Sequence, residues 1–137
     1  MAFWLVKSEP FKYSWSQMVA DGRTHWDGVR NYQAANNLKA MQVGDRAFFY
    51  HSNEGKEIVG VVEIARTAYP DPGDETGRFV MVDVKPLMAV PTPVTLAQIK
   101  ADPRLADFAL VRQSRLSVVP VRDAEWTMLC AMAGIPA

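Results

Sequence analysis

The stretch that most constrains the fold of this chain runs from Arg46 to Ala65. Arg46–His51 and Glu57–Ala65 are rich in aromatic and β-branched residues, which favour strands. The residues between them, Ser52–Lys56, are polar and include a glycine, a composition typical of hairpin turns. The pattern therefore predicts two strands joined by a hairpin. Gly60 inside the second strand indicates a bulge or a close approach of another group to the backbone.

Further strand-forming runs lie at Phe3–Lys7, Phe79–Leu87 and Ser117–Val121. Short helices are predicted after two capping-box patterns, Ser14–Gln17 and Thr95–Gln98, in which a hydroxyl side chain precedes a glutamine by three residues. Pro86, Pro91 and Pro93 are expected to restrict the chain at and after the end of Phe79–Leu87 to edge or bulged structure.

Two more helices are predicted, one from Tyr32 to Ala40 and a final one capped by Asp123 and ended by Gly134. In the final helix, apolar residues at i, i+3, i+4 and i+7 predict a face on the core. These residues are Trp126, Leu129, Cys130 and Ala133. No β-α-β alternation is present, so we predict one α+β domain over residues 1–137. Its sheet should form a curled, mostly antiparallel β-barrel with short helices at its periphery.

Composition excludes several classes of function. The formal net charge is zero, so no overall field attracts the chain to DNA, RNA or an anionic membrane. The single cysteine cannot form an intramolecular disulfide, and no stretch is long and apolar enough to span a membrane. We therefore expect a cytoplasmic protein without a membrane partner, and we take it to be a monomer.

The chain lacks the motifs of common catalytic and cofactor sites. Its two histidines, His25 and His51, and its one cysteine do not have metal-ligand spacing. No Walker A, G-x-G-x-x-G or G-x-S-x-G pattern is present. We therefore predict no metal and no cofactor, and we favour a non-catalytic function. An enzyme that uses Glu9 or His51 as acid or base remains an alternative.

The segment His25–Gln33 carries the residue types of a recognition site. Trp26 and Tyr32 offer aromatic faces, Arg30 offers a planar set of donors, and Asn31 can both donate and accept hydrogen bonds. A nucleobase is recognised by stacking together with hydrogen bonds along its edge. The segment also fits a simpler interpretation, in which a buried tryptophan anchors the loop before a helix.

Polar residues also follow the predicted strands at their ends. Lys7 and Ser8 follow the first strand, and Tyr50, His51 and Ser52 end the aromatic one. Arg112 and Arg115 precede the last strand. If the barrel closes, these ends and the Trp26 segment would share one opening, where ligand sites of barrels commonly lie. Each of these residues could instead be a solvated or ordinary core residue.

Five blocks of the sequence together resemble the EVE domain family, and the resemblance extends over nearly the whole chain, from Phe3 to about Gly134. The blocks that carry the resemblance are Trp4–Pro10, Trp26–Ala34, Gly44–Ser52, Gly60–Val62 and Arg115–Val118. The resemblance implies a PUA-like fold, and a pocket for a modified nucleobase in DNA or RNA. It implies no settled enzymatic activity.

On this resemblance we assign roles to the candidate residues. Trp26 would be a stacking wall, to which Tyr32 or Tyr50 could add, and Arg30, Asn31 and Ser52 would address the base edge or the adjacent phosphate. Lys7, Arg112 and Arg115 would contact the nucleic-acid backbone. The complete predicted pocket is Ser8, Trp26, Gly28, Val29, Arg30, Asn31, Tyr32, Tyr50, His51 and Ser52.

The segment after Tyr32, Ala34–Asn37, carries no arginine, although family members are often more basic there. Few phosphates are therefore expected to be contacted, since affinity from phosphates grows with the number of Lys and Arg contacts. A reader of one flipped base fits this pattern better than a protein that binds along an extended backbone. Two alternatives stay open, an enzyme acting on a modified nucleotide or base and a sensor of a small metabolite.

Overall fold

The computed structural model describes residues 1–137. Its six strands form one sheet with the order β2-β5-β4-β3-β1-β6. Of the strand pairs, only β1 and β3 are parallel. The two edge strands, β2 and β6, are not hydrogen-bonded to each other, so the curled sheet is not closed into a barrel. The strands are Phe3–Ser8 (β1), Thr24–Trp26 (β2), Arg46–His51 (β3), Glu57–Pro70 (β4), Val80–Thr95 (β5) and Val118–Val121 (β6).

Short helices accompany the sheet, which confirms the predicted α+β class. The strand pairs described above confirm the mostly antiparallel pairing. None of the helices is both long and apolar enough to cross a membrane. The α-helices are Trp15–Asp21 (α1), Tyr32–Ala40 (α2), Leu96–Ala101 (α3), Ala109–Arg112 (α4) and Asp123–Ala133 (α5), with a 3₁₀ turn at Pro103–Leu105.

The predicted hairpin is present as β3 and β4, which pair antiparallel. Their register shifts next to Gly60, and a Cβ atom at that position would lie 2.5 Å from the ring of Trp15. Both expectations for this glycine, a bulge and a close approach to the backbone, are therefore confirmed. The contact seats α1 directly on the sheet.

Strand β5 is longer than predicted, because it continues past Pro86, Pro91 and Pro93 to Thr95. Pro91 and Pro93 lie between Ala89 and Val94, where the register with β4 is interrupted. Since proline has no N–H to donate, it is tolerated where the ladder is already irregular. The prolines therefore do not end this strand.

One continuous core packs the sheet against several helices, among them α1, α2 and α5. Trp126 stacks on Phe48 at 4.1 Å between ring centroids and on Phe3 at 4.3 Å. The predicted core face of this helix is buried, although its N-cap is Arg122 and Asp123 is already helical. The buried carboxylate of Asp45 accepts hydrogen bonds from Trp4 Nε1 and from Ala2 and Gln42 N–H groups, and so holds the first strand beside the third.

The contact between Gly60 and Trp15 generates a stability prediction. Gly60→Ala should lower the free energy of unfolding by about 1–3 kcal/mol, because a methyl group there overlaps the indole ring in a close-packed region. Chemical denaturation measures this loss. In the double variant Trp15→Leu/Gly60→Ala, the alanine should cost less than it does in the wild-type background. An equal cost in both backgrounds would show that the indole is not what excludes the methyl group.

Candidate functional site

A cavity of about 510 Å³ is lined by residues of the edge strand β2, of the end of β1 and of the segment before the other edge strand, β6. Its walls come from the end of β1, from Ser117 before β6, from β2 and from the segment Asp27–Asn31. The volume lies within the range of small-ligand sites. The predicted site residues that line it are Lys7, Ser8, Trp26, Gly28, Val29, Arg30 and Asn31.

The segment Asp27–Asn31 is held by Asp71, a buried residue in the loop between β4 and β5. Gly28 N–H and Arg30 Nη1 both donate to Asp71 Oδ2, each at 2.9 Å. Gly73 N–H donates to the other carboxylate oxygen at 2.8 Å. Gly28 has a φ of 78°, which a glycine adopts without strain. The shape of this wall therefore depends on a carboxylate 43 positions away from Gly28.

The hydrogen bonds to Asp71 also set its ionisation. Burial by itself would raise the pKa of this carboxyl, but hydrogen bonds from Gly28, Arg30 and Gly73 outweigh it and leave the pKa below its ordinary value. The residue therefore stays charged and keeps both the loop backbone and the guanidinium in place at neutral pH.

Asp83 on β5 anchors the neighbouring part of the site. Its carboxylate accepts hydrogen bonds from Arg23 Nη2 at 2.9 Å and from the Tyr69 hydroxyl, and it lies 3.1 Å from His25 Nδ1. Burial opposes ionisation, but the hydrogen bonds from Tyr69, His25 and Arg23 lower the pKa of Asp83 to about 2. Because His25 belongs to β2, these contacts attach the short edge strand that carries Trp26.

Trp26 forms a fixed aromatic wall of the cavity. Only 8% of its surface is exposed, and its ring meets Phe49 and Tyr13 edge to face, with centroid distances of 5.5 and 6.5 Å. Val29 is also nearly buried beside it. A wall held by perpendicular rings keeps its orientation when a ligand enters, which lowers the entropy cost of binding.

Asn31 and Arg30 present donors at the cavity. Asn31 Oδ1 accepts from Ala34 N–H at 2.9 Å and so caps α2, which leaves the side-chain NH₂ group available. Arg30 uses Nη1 for Asp71 and for its neighbour's carbonyl, and its remaining N–H groups are unoccupied. Both side chains are thus oriented by the fold before any ligand binds.

Lys7 lies between the cavity and the core. Its Nζ donates to the Ser114 carbonyl at 2.9 Å and lies 6.0 Å from the centre of the Tyr50 ring. Burial lowers the pKa of this lysine. No carboxylate pairs with it, so its remaining N–H groups can meet an acceptor in the cavity.

Comparison with known proteins identifies the family of the chain. The family model for the EVE domain matches residues 2–132. This chain belongs to the EVE domain family. Human thymocyte nuclear protein 1 is 32% identical over 163 residues, which cover 94% of this chain and 72% of the human protein.

Solved structures of similar proteins superpose closely on this one. An NMR structure from Rhodopseudomonas palustris has a TM-score of 0.93 at 59% identity, covering 98% of this chain and 94% of the other. A crystal structure of the human THYN1 protein in complex with DNA containing 5-methylcytosine has a TM-score of 0.91 at 32% identity, covering 100% of both chains.

A more distant likeness concerns the fold alone. The YTH domain of the Zygosaccharomyces rouxii MRB1 protein, solved with N6-methyladenosine RNA, has a TM-score of 0.61 at 15% identity. That alignment covers 96% of this chain and 86% of the YTH domain. The PUA-like fold class predicted from the sequence is confirmed.

Tyr32 and Tyr50, the aromatic residues predicted beside Trp26, do not line the cavity. Tyr32 is 60% exposed at the start of α2 and packs on Phe79, because the Asn31 cap turns the chain away from the cavity. Tyr50 is buried beneath Lys7, and this burial raises the pKa of its hydroxyl to about 12.

Two further predicted residues, His51 and Ser52, have structural contacts outside the cavity. The backbone N–H of Trp15 donates to His51 Nε2 at 3.1 Å, and Ser52 N–H donates to the Ser8 carbonyl at 2.9 Å. Burial lowers the pKa of His51, which keeps Nε2 available as an acceptor. These contacts join the ends of β1 and β3 to the start of α1.

Arg112 and Arg115 line a separate groove of about 330 Å³, which shares Asn31 with the main cavity. Arg112 Nη2 forms an exposed ion pair with Asp107 at 2.7 Å. Arg115 forms no ion pair, so its charge is free to meet a ligand. The two arginines therefore lie beside the cavity and do not line it.

Several residues that line the cavity are not among the site residues predicted from the sequence. Tyr13 and Lys12 lie in the turn after Pro10, where the chain contains no site motif. Asp27 and His25 lie in the recognition segment itself, and their position beside Trp26 was the available signal. Thr24 and Ser117 also line the cavity. No group of three His, Cys, Asp or Glu side chains lies close enough together to hold a metal ion.

The role of Asp71 generates a prediction for stability and its pH dependence. Asp71→Ala should lower the free energy of unfolding by roughly 1–3 kcal/mol, because the N–H of Gly28 and the Arg30 guanidinium lose their acceptor. Since the folded-state pKa is depressed, this stabilisation is present above the unfolded pKa and is lost as the pH falls. The difference between wild type and variant should be constant above about pH 4 and should narrow below it.

Denaturant unfolding at a series of pH values measures this difference. Asp107→Ala is the matched control, because it also removes a carboxylate paired with an arginine, but on the exposed surface. It should leave the unfolding midpoint unchanged. A difference for Asp71→Ala that stays the same down to pH 2 would show that its charge does not hold the loop.

Proposed function

We propose that this EVE domain is a non-enzymatic reader that binds nucleic acid by taking one modified base into the cavity beside Trp26. The observation that carries the proposal is the cavity itself, whose lining combines the largely buried indole of Trp26 with the side-chain donors of Arg30 and Asn31. Stacking on an aromatic face together with edge hydrogen bonds is how proteins recognise an unstacked base.

The relationship to the human protein supports the same ligand class. Human THYN1 was crystallised with DNA containing 5-methylcytosine, and its structure aligns with the whole of this chain. Identity of 32% over full coverage of both chains places the two in one family with one fold. A methylated base in DNA or RNA is therefore the ligand class we favour.

The candidate acid and base residues have structural hydrogen bonds instead of a place in the cavity. Glu9 accepts a hydrogen bond from Asn53 Nδ2 and lies 3.1 Å from Lys12 Nζ. His51 Nε2 accepts from the backbone N–H of Trp15. Neither residue lines the cavity, which favours binding over catalysis.

The base must leave its stack to reach the cavity, because the stacking wall, Trp26, is part of the protein core and cannot move out to a stacked base. A base in single-stranded nucleic acid is already accessible, and a base in a duplex would be flipped. The basic side chains near the opening, Lys7, Arg112 and Arg115, would then contact the flanking phosphates. With zero net charge, about two to four such contacts are expected.

The wall function of Trp26 is tested by substitution. Trp26→Ala should weaken binding of an oligonucleotide with a modified base by roughly 1–3 kcal/mol, because stacking contributes about that much per base. It should also remove most discrimination against the unmodified base, since the two differ only inside the cavity. Titration with oligonucleotides carrying 5-methylcytosine or cytosine measures both effects.

Because Trp26 is also part of the core, Trp26→Phe is the matched variant that keeps an aromatic ring at this position. Thermal unfolding verifies that each variant is folded under the titration conditions. We expect Trp26→Phe to retain discrimination in part. If a folded Trp26→Ala retains it in full, the base is read elsewhere.

Salt dependence tests the small number of phosphate contacts. The logarithm of the association constant should fall against the logarithm of salt concentration with a slope of roughly −1.5 to −3.5. Arg115→Ala should weaken modified and unmodified targets alike and reduce the magnitude of the slope by about 1. Arg104→Ala is the control, because that arginine is paired with Asp102 and lies outside both the cavity and the groove. A slope near −6 would indicate an extended backbone track and would contradict the proposed mode.

A further inference from the structure

Asp27 is the one acidic residue that lines the cavity. It directly follows Trp26 in the chain, and both residues line the cavity. The other polar side chains of the lining can all donate hydrogen bonds, among them Lys7, Arg30 and Asn31, so Asp27 is the one acceptor-only group. A single acceptor-only group in such a setting gives the cavity a polarity that a ligand must match.

The carboxylate of Asp27 is also without a partner inside the protein. It is exposed and forms no ion pair, whereas Asp71 and Asp83 are buried and hold structural contacts. Two of the cations that line the cavity pair with other carboxylates, Arg30 with Asp71 and Lys12 with Glu9, and none forms an ion pair with Asp27. The capacity of Asp27 to accept hydrogen bonds is therefore available to a ligand.

We propose that Asp27 accepts a hydrogen bond from the exocyclic amino group of the bound base. The cavity then selects amino bases, of the 4-aminopyrimidine or 6-aminopurine type, over the corresponding oxo bases. The inference rests on the proposed function of the cavity and adds the chemical class of base that it takes.

The reason is the pattern of donors and acceptors along the base edge. A cytosine-type edge presents an amino donor followed by the acceptors N3 and O2, which matches one carboxylate set among several donors. A thymine-type edge presents a carbonyl oxygen at the position of the amino group. That oxygen would face the carboxylate of Asp27, and two acceptors without a proton between them repel each other.

5-Methylcytosine and thymine provide a matched pair of probes, because both carry the 5-methyl group and they differ at positions 3 and 4. We expect wild-type protein to bind a single-stranded oligonucleotide with one central 5-methylcytosine more tightly than the same strand with thymine. Asp27→Asn should reduce that preference by roughly tenfold to a hundredfold, because a carboxamide can turn either its oxygen or its NH₂ group towards the base. Adenine against hypoxanthine gives the same contrast for purines and shows which ring size the cavity accepts.

Glu75→Gln is the charge-matched control, because Glu75 is exposed, forms no ion pair and does not line the cavity. It should leave the preference for the amino base unchanged. Thermal unfolding of Asp27→Asn should match wild type, since the exposed side chain forms no ion pair that the substitution would remove.

The outcomes separate this inference from the proposed function. If wild type binds modified strands but treats amino and oxo bases alike in both the pyrimidine and the purine pair, the inference is overturned and the proposed function stands. If Asp27→Asn keeps the full preference, another group reads the amino position and the inference is again overturned. If none of these strands binds, the proposed function fails and this inference fails with it.

Discussion

The cavity depends above all on the buried carboxylate of Asp71. It joins the loop between β4 and β5 to the segment after β2 through the N–H of Gly28 and the guanidinium of Arg30. These two segments are far apart along the chain and neither has regular structure of its own. An ionised acceptor in a low-dielectric setting makes stronger hydrogen bonds than a neutral one, so one residue can fix both segments.

The remaining cavity walls are also held by a small number of contacts. Asp83 attaches β2 to its neighbour, and the Asn31 cap ends the recognition segment where α2 begins. Trp26 is held between Phe49 and Tyr13 as part of the core. The walls of the site are therefore held by contacts within the protein, as the proposed discrimination between similar bases by shape and hydrogen-bond polarity requires.

Electrostatics act locally in this protein. With zero net charge, the domain has no long-range attraction for a polyanion, and its basic side chains are effective only where they gather. Lys7 lies in the cavity, whereas Arg112 and Arg115 lie in the adjoining groove. In the proposed mode of binding, selectivity rests on the cavity, since phosphate contacts carry no sequence information.

The sequence by itself determined the elements whose signals are local. Strand runs, the hairpin after β3, the start of α2 and the buried face of α5 follow from side-chain periodicity and capping, which depend only on neighbouring residues. The motif Trp26–Asn31 also identified most of one cavity wall. Only the tertiary structure decided that Tyr32 faces outward, that Tyr50 lies beneath Lys7, that β5 continues past its prolines, and that Tyr13 and Asp71 complete the site. Each of these outcomes depends on contacts between residues far apart in the chain, and local propensity carries no information about which distant groups the curled sheet brings together.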